Sequence, residues 1–272
     1  MGNFLISVQE LKGLIGNAEA PQIFDVRRRE VFDSDARVLP TARWREHTRV
    51  GDWARQIPGG GFVVCYCAHG HNVSQLAVAA LRARGINAHT LAGGIEAWQQ
   101  ADGPIILKAA LPGRDENRPS RWVTRTKPKI DRIACPWLIR RFIDREAEFL
   151  FVEPAHVRDV AGELGAIPFD VDGAELSHVG PCCTFDTLID RFGLVDPALD
   201  YLRLIVRGAD TAQLDLAPEA AGLLAVSLGV SVVSEGDDHV ALECGMPVYD
   251  ALYAWRTRAA TETHNWPVNR AT

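Results

Sequence analysis

No stretch of the 272 residues approaches the 18 or more consecutive apolar residues that a membrane-spanning helix needs. Met1 to Gly13 lack a basic segment leading into an apolar core and a small-residue cleavage site, so no secretory leader is expected. Basic charge is scarce too. The 29 Lys and Arg stand against 35 Asp and Glu, a net charge of -6, which argues against a broad cationic face and direct DNA binding. An anionic ligand would need a local site: a helix N-terminus, a nest of backbone N–H groups or a few arginines. Internal repeats and low-complexity tracts are missing, as are a G-x-G-x-x-G turn after a strand, a flavin motif and a Cys-x-x-Cys pair of the structural-zinc kind.

What remains is a chain 47% hydrophobic and 24% charged, an ordinary composition for a soluble protein that buries real cores. The expected location is the cytoplasm, with no membrane partner. There the six cysteines, at 65, 67, 135, 182, 183 and 244, would be mostly reduced. Their spacing must then separate buried small hydrophobes from metal ligands and reactive thiols.

At about 100–200 residues per domain, the length suggests two domains. From Phe4 to Trp98, short apolar runs alternate with helical patterns. Gln22–Val26 and Gly61–Cys67 read as buried strands, and Val73–Arg84, at helical spacing, leads to a further strand at Ala88–Leu91. Strand, helix, strand in this order predicts a right-handed crossover and a parallel sheet flanked by helices, an α/β domain over 1–108. A polar stretch rich in Pro and Gly predicts a linker over 109–120. The remainder, 121–272, opens on a short strand at Arg121–Thr124. Helical patterns follow at Cys135–Arg145, Ala155–Leu164, Phe185–Phe192, Pro197–Arg207, Pro218–Leu228 and Val248–Ala260. With isolated strands at Phe149–Val152 and Ser231–Val233, this half reads as mainly α, or α+β with a small sheet.

Cys67 closes an apolar strand and is followed by Ala68, His69, Gly70, His71, Asn72 and Val73, where a helix begins. A glycine-containing turn from strand to helix can direct successive N–H groups at one atom, and the helix N-terminus adds positive potential. A thiolate there is expected to be stabilised, the usual way of making a cysteine nucleophilic. His69 and His71 could hold a soft metal or handle protons, but two solvent-facing rings that tune the charge of the loop are the simpler reading. Cys65 lies on the same side of an ideal strand as Cys67. It could close a disulfide with Cys67, or simply pack in the sheet.

Asp25-Val26-Arg27 with Glu30-Val31-Phe32, then the Cys67 loop, then Gly93-Gly94-Ile95-Glu96-Ala97-Trp98, resemble in this order the signatures of rhodanese domains, over about residues 4–107. The resemblance implies that Cys67 is transiently converted to a persulfide and hands its outer sulfur to a thiol or protein acceptor, with no cofactor required. The six-residue loop has the length found in sulfurtransferases rather than in the related phosphatases. It also implies that Asp25 orders the loop and that Trp98 is core. Many single-domain rhodaneses carry arginines where this chain has Ala68 and Asn72, so a small persulfide is a better expected donor than the thiosulfate dianion.

In the second half, Lys127, Lys129, Arg132 and Arg140 surround a predicted helix start near Pro136, and they are candidates for an oxyanion site. Cys135, at the head of that helix, would be a reactive thiol if exposed. The stretch from Trp122 to Arg141 resembles the C-terminal domain of the chromate-resistance protein ChrB. So do Phe149–Val152, Gly165–Asp170, His178-Val179-Gly180, Cys183-Thr184-Phe185-Asp186 and Ile205–Asp210. The resemblance implies a role in chromate resistance as sensor or accessory protein, with chromate or another oxyanion as a ligand. His178, Cys183 and Asp186 lie within nine residues and are the candidate metal ligands for Zn or Fe, with Glu175, Asp131 or Asp210 as a further donor.

Three functions compete at this point. One is a sulfurtransferase whose Cys67 persulfide serves the ChrB-like half in a chromate or oxidant response. The second is a metal- or oxyanion-responsive sensor whose rhodanese fold has lost turnover. The third is a chromate reductase drawing on Cys65, Cys67 or Cys135, for which the chain offers no visible electron source.

Overall fold

A computed structural model of the chain describes residues 4–57, 61–112 and 119–262. The first half runs β1 (Leu5–Ile6), α1 (Val8–Leu14), β2 (Gln22–Asp25), α2 (Arg29–Ser34), β3 (Arg37–Val38), β4 (Arg43–Trp44), α3 (Val50–Trp53), β5 (Phe62–Tyr66), α4 (Asn72–Arg82), β6 (Asn87–Leu91), α5 (Gly94–Gln100) and β7 (Ile106–Leu107). Five of these strands form one sheet in the order β1-β6-β5-β2-β4, parallel throughout, and β3 pairs with β7 in an antiparallel ribbon. This is the expected α/β arrangement.

Strand alternation explains why β5 is apolar throughout. Val63 and Cys65 point into a core closed by Val50 and Trp53 of α3 and by Ala77, Val78 and Leu81 of α4. Val64 and Tyr66 point the opposite way, into a second and larger core. The buried residues of α4 fall at 74, 77, 78 and 81, the spacing that puts one helical stripe on a sheet.

The second half runs β8 (Arg121–Arg125), α6 (Asp131–Leu138), β9 (Glu148–Val152), α7 (Val157–Leu164), β10 (Ile167–Pro168), α8 (Thr184–Phe192), α9 (Pro197–Asp210), α10 (Ala220–Val233) and α11 (Asp238–Arg258). It is helix-rich around a three-stranded parallel sheet in the order β10-β8-β9. No helix among the described residues is long and apolar enough to cross a membrane.

Three elements differ from the sequence reading. Ser231–Val233 is the last turn of α10 rather than a strand, because the preceding turns carry the helix through its β-branched end. The last helix begins at Asp238 instead of Val248. Asp237 caps it by accepting from the His239 and Val240 N–H groups, and Pro247, which resembles a boundary, sits inside it. Likewise α6 starts at Asp131, not Cys135, so Pro136 and Cys135 lie in its interior. It continues into one π-helical turn at Ile139–Ile143.

The two halves share a core. Residues of the first half, among them Leu11, Val64, Tyr66 and Trp98, belong to one continuous apolar cluster with Trp122, Trp137, Phe142, Phe185 and Tyr253 of the second. Polar contacts reinforce the seam. The Thr41 N–H donates to the Phe142 carbonyl at 2.8 Å, and Arg43 pairs with Asp144 at 3.1 Å and Glu146 at 2.9 Å. Asp144, only 1% exposed, also accepts from the Ser120 N–H and hydroxyl. Of the expected linker, residues 113–118 lie outside the described residues, as does His264.

Candidate functional sites

Cys67 directly follows β5, the middle strand of the parallel sheet, at its carboxyl end, where open α/β sheets place ligands. The loop it starts is fastened to the turn before α5. Ile95 and Glu96, in the first turn of α5, donate their N–H groups to the Cys67 and Ala68 carbonyls at 3.0 and 3.2 Å. Gly94, with φ +61°, lies so close to those two carbonyls that a Cβ would collide with both. Gly70, with φ +71°, packs against the Leu91 carbonyl and the Gly93 N–H in the same way. The Gly-Gly-x-x-x-Trp signature therefore has a physical purpose: the glycines let helix and loop meet, and buried Trp98 fixes the helix on the sheet.

The Cys67 Sγ lies 3.2 Å from the buried Ser74 hydroxyl of α4 and 3.5 Å from the His71 carbonyl. It is 7% exposed and borders a small open pocket of about 280 Å³. Loop residues Ala68, His69, His71, Asn72 and Val73 line this pocket, joined by Arg27, Arg28 and Val31 from the β2–α2 connection. Both histidines are exposed, and His69 Nδ1 stands 3.0 Å from Glu96. Arg27 is sealed beneath, paired with Asp25 at 2.5 Å and Asp35 at 3.0 Å, and the Tyr66 hydroxyl donates to Asp25 at 2.8 Å. Asp25 thus orders the floor of the site. Arg28 is exposed and makes no ion pair among the described residues. It is a cation at the mouth of the pocket that the sequence reading did not single out. Its only signal was the Arg27-Arg28-Arg29 run directly after Asp25-Val26.

Cys65 and Cys135 are poorly placed for chemistry. Cys65 is sealed in the α4-side core, where burial pushes its thiol up. Cys135 is fully buried inside α6. Burial, and then the neighbouring Asp131, Cys183 and Asp170, raise it well above the ordinary thiol range, so the exposure that a reactive thiol there would need is not met.

The proposed metal ligands are divided. Cys183 and Asp186 form the start of α8, where Asp186 Oδ2 accepts from the Cys183 N–H at 3.0 Å and Arg207 of α9 grips both Asp186 oxygens at 2.6 and 2.9 Å. Burial, then Asp131 and Asp186, push the Cys183 thiol up, against a thiolate ligand. His178 instead meets a different set. Its Nε2 lies 3.5 Å from Asp131 Oδ2, 3.4 Å from Asp170 Oδ1 and 3.4 Å from Asp210 Oδ2. Asp131 and Asp210 were named as further donors. Asp170 was not, although it ends the Pro168-Phe169-Asp170 motif. The Asp131 carboxylate beside it, followed by Asp170 and Asp210, raises the His178 ring to about 9 against the opposing effect of burial. Burial and the Asp131 and Asp170 charges lift Asp210 to about 6. Glu175 lies apart, paired with Arg191 at 3.3 Å.

Of the four candidate anion-binding cations, the two arginines are drawn to separate partners. Arg132 pairs with Asp170 at 3.2 Å and donates to the Arg125 and Thr126 carbonyls. Arg140 pairs with Glu243 at 2.7 Å and lies over the Phe149 ring. Lys127 and Lys129 are exposed, the former with its backbone N–H on Asp238.

Comparison with known proteins agrees with this division. Residues 7–101 match the family model of the rhodanese-like domain, and residues 122–256 match that of the ChrB C-terminal domain. Protein ChrB of Cupriavidus metallidurans is 38% identical over 153 residues, 55% of this chain and 45% of that protein, so the match spans less than half the relative's length. Among solved structures, a rhodanese-related protein from Thermoplasma volcanium is 24% identical, covering 38% of this chain and 97% of its own at a TM-score of 0.33. A rhodanese-like domain protein from Staphylococcus aureus is 29% identical, covering 35% and 89% at a TM-score of 0.31. The chain therefore joins a rhodanese-like domain to a ChrB C-terminal domain.

Proposed function

We propose that this protein is a sulfur carrier of the sulfurtransferase type, with the Cys67 Sγ holding the transferred sulfur, and that it serves a chromate or oxidant response through its ChrB half. The observation that carries this reading is the position of Sγ. It sits at the carboxyl end of the central strand, beside the Ser74 hydroxyl, bordering a pocket open to small molecules. Of the thiols considered, Cys65, Cys135 and Cys183 are buried.

The chemistry needs no cofactor. The Cys67 thiolate attacks the outer sulfur of a donor R–S–SH. The new Sγ–S bond forms as the donor's S–S bond breaks, and RS⁻ leaves with the electron pair. An acceptor thiolate then attacks the outer sulfur of the Cys67 persulfide and leaves with –SH, and Cys67 returns to its thiolate. Electrons balance over the two steps. Arg28 supplies the positive charge that Ala68 and Asn72 do not. One exposed guanidinium beside apolar Val31 and Val73 suits a small organic persulfide bearing carboxylates better than a compact dianion such as thiosulfate.

Single-turnover sulfur transfer to a thiol acceptor tests this. Glutathione persulfide is expected to outperform thiosulfate as donor, and Cys67→Ser is expected to abolish transfer with both. Full transfer by Cys67→Ser would refute the reading. No transfer with any donor, together with chromate binding by the intact chain, would replace it with an oxyanion sensor.

A further inference from the structure

We propose that His178, Asp131 and Asp170, whose donor atoms all lie within 4.8 Å of one another, form a binding site for one zinc ion in the ChrB half, distinct from the Cys67 pocket, with Asp210 beside His178 at its edge. The residues come from four places: Asp131 from the first turn of α6, Asp170 just after β10, His178 from the loop before α8, and Asp210 from the last turn of α9. Asp131 and Asp170 are 1% and 4% exposed, while the His178 side chain keeps 42% exposure, so the cluster is buried beneath and reachable from outside.

Distance is the first argument. An imidazole N–H bonded to one carboxylate would lie at about 2.8–3.0 Å from it and turn away from the others. Here Nε2 stands 3.4–3.5 Å from three carboxylate oxygens at once, longer than the usual hydrogen-bond length to each. With zinc–oxygen and zinc–nitrogen bonds of about 2.0–2.2 Å, two donors on one tetrahedral ion lie about 3.3–3.6 Å apart, which matches the separations of Nε2 from Asp131 and Asp170. Three protein donors leave the fourth position to water, the pattern of an open zinc site.

The surroundings give a second argument. The facing oxygens are held in place by groups outside the cluster. Asp131 accepts from the Thr184 and Phe185 N–H groups at 2.7 and 2.9 Å. Asp170 has its two oxygens divided. Oδ2 faces Arg125 at 2.8 Å and Arg132 at 3.2 Å, whereas Oδ1, held by the Thr184 hydroxyl at 3.0 Å, faces His178. Outer partners that hold both oxygens of each carboxylate, the one facing His178 included, are what orient ligands around a metal. One imidazole and two carboxylates with an open fourth position are ligand types that zinc accepts, and neither Cys135 nor Cys183 is needed among them.

The test uses the full chain freed of metal and titrated with zinc chloride by calorimetry, then with cobalt(II) as a spectroscopic substitute. One ion per chain is expected, with tetrahedral cobalt bands and no thiolate-to-cobalt charge transfer. His178→Ala, at a half-exposed position where folding should tolerate it, is expected to weaken zinc at least about 100-fold, beyond the usual effect of losing an outer partner. Asp210→Asn should weaken it in the same direction, while Cys67→Ser should leave it unchanged. Absence of stoichiometric binding, binding indifferent to His178→Ala in a chain with native circular dichroism, or a cobalt–thiolate band would each overturn the site.

Discussion

At the scale of single residues, the site rests on one sulfur and a small set of neighbours with different tasks. In the proposed reading Cys67 carries the chemistry and Arg28 offers charge to the donor, while Ser74 contacts the sulfur. Arg28 is exposed, so its attraction for an anion is screened and should lie near the lower end of a charge-assisted hydrogen bond, about 1.5 kcal/mol. Arg28→Ala is therefore expected to cost about tenfold in kcat/KM for a carboxylate-bearing persulfide, mostly through KM and less at high salt. Steady-state kinetics at two ionic strengths check this, and an unchanged KM would remove Arg28 from the site. Cys67 was legible in the sequence because a strand, a cysteine, a glycine turn and a helix are local features. Arg28 was not, because it reaches the pocket only through the pairing of β2 with β5. The same limit explains the metal candidates. His178, Cys183 and Asp186 are near in sequence, but Arg207 of α9 claims Asp186, and Asp170 reaches His178 from another element.

At the scale of elements, the meeting of α5 with the Cys67 loop is the decisive contact. Two N–H groups of the helix hold two loop carbonyls, and Gly94 stands between them without a Cβ. Gly94→Ala would force a methyl into the Cys67 and Ala68 carbonyls at a positive φ, so loop or helix must shift. The expected result is a loss of about 1–3 kcal/mol of stability and a larger fractional loss of sulfur transfer. Chemical denaturation alongside transfer assays measures both, and a variant with native stability and rate would disprove the fastening. Element order and type in the first half followed from hydrophobic period, since β5 and α4 carry clear strand and helix patterns. The second half was harder to read. Pro136 and Pro247 look like helix boundaries but lie inside helices, and the apolar end of α10 has the residue types of a strand.

At the scale of the whole molecule, two families of sequence share one core. The face of the sheet carrying Val64 and Tyr66 is covered in part by the second half, and Asp144 ties Arg43 to Ser120 across the seam. Unfolding in a calorimeter is accordingly expected as one transition. Asp144→Ala would leave the Ser120 groups without this acceptor and Arg43 with Glu146 alone, at a cost of about 1–3 kcal/mol. Two well-separated transitions in the native chain would contradict the shared core. Sequence revealed the two halves through their differing patterns, but not this union, because an apolar strand reads alike whether a helix or a neighbouring domain covers it.

The account stands or falls on the sulfur at Cys67. Intact-mass spectrometry of the full chain after brief exposure to a persulfide donor measures it directly. One added sulfur atom is predicted, located on Cys67 by peptide mapping, removed by an acceptor thiol and missing from Cys67→Ser. A chain that gains no sulfur, or gains it equally when Cys67 is serine, would contradict the account.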